Sequence, residues 1–258
     1  MMKNRQEKLK ELLKEFLAIC QKHNLKYVMF FGSLLGVIRH RSFIPWDDDL
    51  DLLIDYETYK FLIANYPNQI KSTENSDNFL MCLKWTNDLN NTEDALFIDL
   101  FVAAKTNEKQ VKKYLSFKNK MHYLKGFSQR KLFKIQYGMK FLKVVCFWTK
   151  FFKKLQFSEV LNSLNNIEKP DCWFVPTWPF KKDAQKNIYD LKIDFFSVEK
   201  QFLDEIEVNV PKDYEKILEH YYGQNWRVPI KSPISEHLGL YDMKVFCKRN
   251  RSNHENNI

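Results

Sequence analysis

Apolar residues recur at Leu9, Leu12, Leu13, Phe16, Leu17 and Cys20, with Lys and Glu between them. That spacing predicts a helix over 4–23, stopped at Asn24. Tyr27-Val28-Met29-Phe30-Phe31 is an apolar run of strand length, and it ends at Gly32-Ser33, where the chain must turn. Leu34 to Ile38 has room for one or two helical turns, and Arg39 to Trp46 reads as a loop containing Pro45. Asp49 to Ile54 alternates acid and apolar, which suits a strand with one wet face. Tyr56 to Tyr66 predicts a helix, ended by Pro67. Phe79 to Trp85 and Ala95 to Val102 predict further strands, with a polar loop, Asn87 to Thr92, between them.

Beyond this, Thr106 to Leu164 reads as helical with Lys on most turns. Cys172 to Pro179 reads as irregular, and Phe195 to Val208 as one or two strands. Pro211 to Tyr222 reads as a helix ended by Gly223, and the tail from Lys248 as frayed. The expected class is α+β: a mixed sheet flanked by helices, with a helical insertion.

Composition narrows the picture. Of 258 residues, 45% are hydrophobic and 16% aromatic, enough to bury a sizeable core. Six Gly and eight Pro exclude collagen-like and Gly/Pro low-complexity chains. No apolar run reaches membrane-spanning length, and the charged N-terminus lacks a signal-peptide core, so a cytoplasmic chain is expected. Five scattered cysteines contain no CxxC pair, which speaks against a zinc or redox motif. The formal charge is +9, but Lys105 to Lys154 holds fifteen Lys/Arg against one acid, Glu108. That block carries +14 and leaves −5 for the rest, which implies an anionic partner on one face.

The chemistry concentrates earlier. Pro45-Trp46-Asp47-Asp48-Asp49-Leu50-Asp51 packs four acids into five positions. On a strand, Asp49 and Asp51 would point to one face and could share a cation, and hard carboxylate oxygens favour Mg²⁺ or Mn²⁺. Asp99, alone inside Phe97-Ile98-Asp99-Leu100-Phe101, is a third candidate if its strand lies beside theirs. Gly32-Ser33 would cradle phosphate with backbone N–H groups. Strand, Gly-Ser, helix, Asp-x-Asp strand and a further strand Asp together form the nucleotidyltransferase-fold pattern, the equipment of phosphoryl or nucleotidyl transfer.

Gly32-Ser33-Leu34-Leu35-Gly36-Val37-Ile38-Arg39-His40, followed by Phe43-Ile44-Pro45-Trp46-Asp47-Asp48-Asp49-Leu50-Asp51, closely resembles the signature of the LicD family, whose distant relatives include fukutin and fukutin-related protein. The resemblance continues at Phe97 to Phe101, returns at Val210 to Tyr214 and Tyr222-Gly223, and reaches Pro229 and His237. Ser42 departs from the usual Gly, and Val102-Ala103-Ala104-Lys105 from the common Pro-Leu-Asp. The family implies a nucleotidyltransferase-like fold and transfer of a phospho-alcohol from a CDP-alcohol, CDP-choline in the prototype, to a glycan. It implies Asp49, Asp51 and Asp99 as metal-binding and catalytic acids, Asp99 serving as base or as orienting ligand. Gly32, Ser33, Arg39, His40, Arg41 and His237 are the expected donor-binding residues. On this reading 1–104 is the catalytic core, 105–168 a basic helical segment, 169–247 the part that completes the catalytic domain and 248–258 a flexible tail.

The basic, Phe-rich stretch 131–154 allows two readings: an interfacial face for an anionic membrane and a lipid-linked glycan acceptor, or a helix whose Phe residues pack the core. The first would make the chain peripheral on the inner face of the cytoplasmic membrane. Nucleic acid ranks below both because no known RNA or DNA module appears. The expected function is metal-dependent phosphocholine transfer to a bacterial surface glycan, of lipooligosaccharide or teichoic-acid type, with release of CMP. Ribitol- or glycerol-phosphate transfer and nucleotidyl transfer are the enzymatic alternatives. A membrane-binding scaffold without activity is the non-enzymatic one.

Overall fold

The computed structural model describes residues 2–76, 78–89, 96–129 and 136–230. The chain is α+β. Helix α1 (Met2–His23) leads into β1 (Tyr27–Met29), α2 (Phe31–His40), β2 (Asp51–Ile54), α3 (Tyr56–Asn65), β3 (Ile70–Lys71), β4 (Leu83–Trp85) and β5 (Ile98–Val102). These five strands form one mixed sheet in the order β1-β2-β5-β4-β3. Only the β2–β5 pair is parallel; the other three are antiparallel.

Strand alternation gives the sheet two unlike faces. Met29, Leu52, Leu100 and Leu83 lie in register on one, as do Trp85, Ile98 and Ile70. Helix α1 covers this face: its Leu9, Leu13 and Phe16 are fully buried, and the Phe16 ring meets Trp85 at 5.3 Å between centroids. The helix forms because its apolar positions fall on one stripe, as the sequence predicts. The opposite face carries the charged residues of the site.

The rest of the chain continues with β6 (Ala104–Thr106), α4 (Glu108–Tyr114), α5 (Phe117–Gln129), α6 (Gln136–Val145), a 3₁₀ turn (Phe147–Phe151) and α7 (Phe157–Asn165). Then come β7 (Cys172–Phe174), α8 (Lys181–Lys186), β8 (Ile188–Asp190), β9 (Val198–Leu203), β10 (Ile206–Pro211) and α9 (Tyr214–Tyr222). β6, β7 and β8 make a second, antiparallel sheet, and β9 and β10 a hairpin. Buried side chains from all these parts, such as Leu53, Tyr114, Leu161, Phe174 and Val208, belong to one apolar cluster.

Several predicted boundaries move. Cys172–Phe174, expected to be irregular, is a strand buried along its length, because β6 and β8 both pair with it. The strand expected from Phe79 begins only at Leu83, since the Asn78 side chain takes up the Cys82 carbonyl (3.0 Å) and the Leu80 N–H (3.1 Å). The strand expected from Asp49 begins at Asp51. Asp49 thus belongs to the preceding loop, with Leu50 between it and the strand.

Gly36 shows why that loop sits where it does. A Cβ here would stand 2.7 Å from the Ser42 carbonyl oxygen and 3.3 Å from the Ile44 nitrogen, both backbone atoms. Gly36→Ala is therefore expected to cost about 1–3 kcal/mol by overpacking. Thermal unfolding checks this; an unchanged midpoint would mean that the loop yields freely.

Candidate active site

Four charged side chains form one row across the sheet. Asp51 on β2 is in register with Asp99 on β5, Asp99 with Lys84 on β4, and Lys84 with Lys71 on β3. All four therefore stand on the face that α1 leaves open. The row reads acid, acid, base, base. Asp99, Lys84 and Lys71 are buried, and Asp51 is partly exposed at the start of its strand.

Burial of Asp99 would be costly without a partner. The partner is Lys84, whose Nζ donates to Asp99 Oδ1 at 2.6 Å. The ammonium also lies 3.5 Å from the centroid of the Phe97 ring. The Cys82 thiol donates to the same carboxylate oxygen at 3.8 Å. Burial first, and then the Asp99 charge, push that thiol well above its ordinary pKa, so it stays a neutral donor.

The Gly-Ser step is not a turn before a helix but the first turn of α2 itself. Phe30 is still extended, and Phe31 takes a φ of +41°, so strand becomes helix within one residue. A side chain in this region stores roughly 1–3 kcal/mol of strain. Ring contacts of Phe31 with Phe30, Phe101 and Tyr221 hold it there. Ser33 Oγ then accepts the Asp51 N–H at 2.8 Å, while the Asp51 carbonyl accepts the Phe30 N–H at 3.0 Å. The start of the helix and the first acid of β2 are pinned to each other. A Cβ on Gly32 would meet Asp47 Oδ2 at 2.9 Å, so the Asp47 carboxylate lies against the positive end of α2.

The acidic loop is clamped from outside. Arg5 Nε donates to the Asp48 carbonyl at 2.7 Å, and Gln6 Nε2 to the carbonyls of Asp47 (2.8 Å) and Ile44 (3.3 Å). At the other end of the loop, the Asp204 N–H in the β9–β10 turn donates to the Arg41 carbonyl at 2.7 Å. The Asp204 carboxylate pairs with Lys10 of α1 at 2.7 Å. Although burial pulls the Lys10 pKa down, its bonds to Asp204 and Glu7 hold it above the ordinary value.

Other predicted residues fall elsewhere. Arg39, His40 and Arg41 end α2, about 10–13 Å along its axis from Gly32. Arg39 Nη1 donates to the Trp226 carbonyl at 3.1 Å and its Nε to His40 Nδ1 at 3.4 Å. Burial and the adjacent guanidinium both lower the His40 pKa, so its imidazole is neutral near neutral pH. Arg41, in the left-handed region at φ 51°, caps the helix through its own N–H to the Val37 carbonyl. The structure thus brings Gly32, Ser33, Asp51 and Asp99 together and sets Arg39, His40 and Arg41 apart. His237 lies outside the described residues, as do Lys131 and Lys134 of the basic stretch.

Among the described residues, no three His, Cys, Asp or Glu side chains form a group able to hold an ion. Asp49 and Asp51 are both partly exposed and present hard oxygens, the donor chemistry that Mg²⁺ or Mn²⁺ takes. One oxygen of Asp99 is taken up by Lys84. A shallow groove of about 560 Å³, lined by Lys26, Asp55, Thr58 and Phe61 among others, lies at the far end of β2 from Asp51. It takes no part in the acid site.

Sequence reasoning missed Lys84, Lys71, Arg5 and Gln6. The lysines had a signal: Lys84 interrupts Leu83-Lys84-Trp85 as Asp99 interrupts its own apolar run. The clamp from α1 had none, because it reaches backbone carbonyls about forty residues away.

Residues 24–144 match the family model described as LicD/FKTN/FKRP, nucleotidyltransferase domain. Over 49 residues the chain is 41% identical to the lipopolysaccharide cholinephosphotransferase LicD of Haemophilus influenzae, covering 19% of this chain and 18% of that protein. Over stretches of the same length it is 45% identical to uncharacterized proteins of Rickettsia prowazekii and Rickettsia typhi, covering 18% and 16% of them. The chain thus spans less than a fifth of the length of these curated relatives.

Proposed function

We propose, from the match of residues 24–144 to the LicD family model, that the chain transfers phosphocholine, or a similar phospho-alcohol, from a CDP-alcohol to a hydroxyl of a bacterial surface glycan and releases CMP. The observation that carries this reading is the register of Asp51 against Asp99, with the first turn of α2 pinned to Asp51 through Ser33. It puts two carboxylates beside a helix start, where phosphate and a divalent cation are both welcome. The similarity to a cholinephosphotransferase supports choline as the first alcohol to try.

Asp49 and Asp51 would hold Mg²⁺ or Mn²⁺. When bound, the ion would neutralise charge on the donor's phosphate oxygens. The remaining work falls to the chain. The first turn of α2, with Gly32 and Ser33, orients the diphosphate. The clamp of Arg5 and Gln6 holds the acidic loop against β2. Asp99 fits the orienting role better than that of base, because one of its oxygens already accepts from an ammonium. The acceptor hydroxyl would attack the phosphorus that bears the alcohol, its proton would leave to solvent or a nearby acid, and CMP would depart.

The test is ³¹P NMR of the protein with Mg²⁺ and CDP-choline, with and without bacterial lipooligosaccharide. Acceptor-dependent CMP and a new phosphodiester signal are expected. If choline gives nothing but CDP-ribitol or CDP-glycerol is consumed, the alcohol is reassigned. Silence with all three donors sinks phospho-alcohol transfer and leaves nucleotidyl transfer to be assayed.

A further inference from the structure

The apolar stripe of α6 faces away from the protein. Phe141, Val144 and Val145 stand at i, i+3 and i+4, and are 71%, 71% and 53% exposed. The 3₁₀ turn that follows adds Phe147 at 63% and Phe151 at 78%. On the inward side, Cys146 and Thr149 are buried, and Thr149 and Ser128 of α5 share a hydrogen bond of 3.3 Å. The segment is therefore anchored, and its outward aromatics do not pack the core. An outward cluster of this size on a folded chain marks a surface that meets something.

The charges around it identify the partner. Lys140, Lys143, Lys150 and Lys153 are exposed and interleave with these residues along the chain, Lys150 lying over the Phe151 ring, and from Phe117 to Lys154 there is no acidic residue. A second copy of the chain would bring a like-charged face. Aliphatic Val144 and Val145 offer nothing for bases to stack on. Apolar groups that enter an acyl boundary while lysines stay at the headgroups match an anionic bilayer. We infer that α6 and the 3₁₀ turn form a docking surface for an anionic phospholipid membrane, with Phe141, Val144, Val145, Phe147 and Phe151 inserting and the four lysines meeting headgroup phosphates. Among the described residues, no helix is long and apolar enough to cross a membrane, so this surface would act by lying on one.

The inference stands apart from the transfer reaction, because its test measures binding alone. The full chain is floated with phosphatidylcholine vesicles that either contain or lack phosphatidylglycerol. Binding is expected only with phosphatidylglycerol, together with a blue shift of fluorescence from the half-buried Trp148. Phe147→Ser with Phe151→Ser should lower partitioning at least tenfold. Replacing the four lysines by Gln should lower it roughly fivefold per charge. Both sets of residues are exposed, so circular dichroism and the unfolding midpoint should hold. No flotation on phosphatidylglycerol vesicles, undiminished binding by the double Ser variant, or equal binding to neutral vesicles would each overturn the inference. So would wild-type dimers that the Ser substitutions dissociate, since the face would then meet a second copy.

Discussion

Lys84→Met is expected to destabilise the protein by about 3–5 kcal/mol, the cost of removing the cation from a buried ion pair. Lys84 and Asp99 side chains are each only 7% exposed, so water cannot replace the lost ammonium. Methionine has nearly the length of lysine and fills its space, so the loss is electrostatic and not a cavity. At a few degrees per kcal/mol for a chain of this size, the melting point should fall by roughly 6–20 °C. The decisive comparison is the double variant Lys84→Met/Asp99→Leu, which removes both charges and should recover much of the loss. If the double variant is as unstable as the sum of the two single ones, the pair is uncoupled and this account of the buried acid is wrong.

Asp51→Asn should separate activity from stability. Asn is isosteric, and the bond from the Asp51 N–H to Ser33 Oγ is made by the backbone, so the fold keeps its pin. The charge is what disappears. Asp51 and Asp99 face each other on neighbouring strands, and like charges so placed repel; stability should hold or rise by a few tenths of a kcal/mol. CMP release in the NMR assay should nonetheless drop by about 10²–10³-fold, the worth of several kcal/mol of charge stabilisation on the phosphates. Full turnover by Asp51→Asn would remove this carboxylate from the chemistry.

The local pattern made much of this legible. The stripe of α1 and the acid–apolar alternation that starts at Asp49 each have a period that helices or strands impose, and Asp99 stands out as a lone acid in an apolar run. What could not be read depends on distant pairing. Asp49 looks like strand by alternation, but the loop before β2 is held by Arg5 and Gln6 and delays the ladder to Asp51. Cys172–Phe174 looks irregular until β6 and β8 flank it. Arg39 looks like a phosphate ligand by its place in the motif. The length of α2 carries it away from Gly32, and the Trp226 carbonyl engages it there.

Helix α1 ends before the residues that match the family begin. It nonetheless covers the apolar face of the sheet and holds the acidic loop by its backbone. The recognisable segment is therefore not a portable unit. A gene fragment that starts at residue 24 would leave Met29, Leu52, Leu100 and Trp85 bare to solvent, and its product would aggregate before its acids could be assayed. Anyone transplanting this chemistry must carry along the leading helix and the β9–β10 hairpin. Sequence change in those flanks, far from any motif, is a route by which evolution could adjust the site.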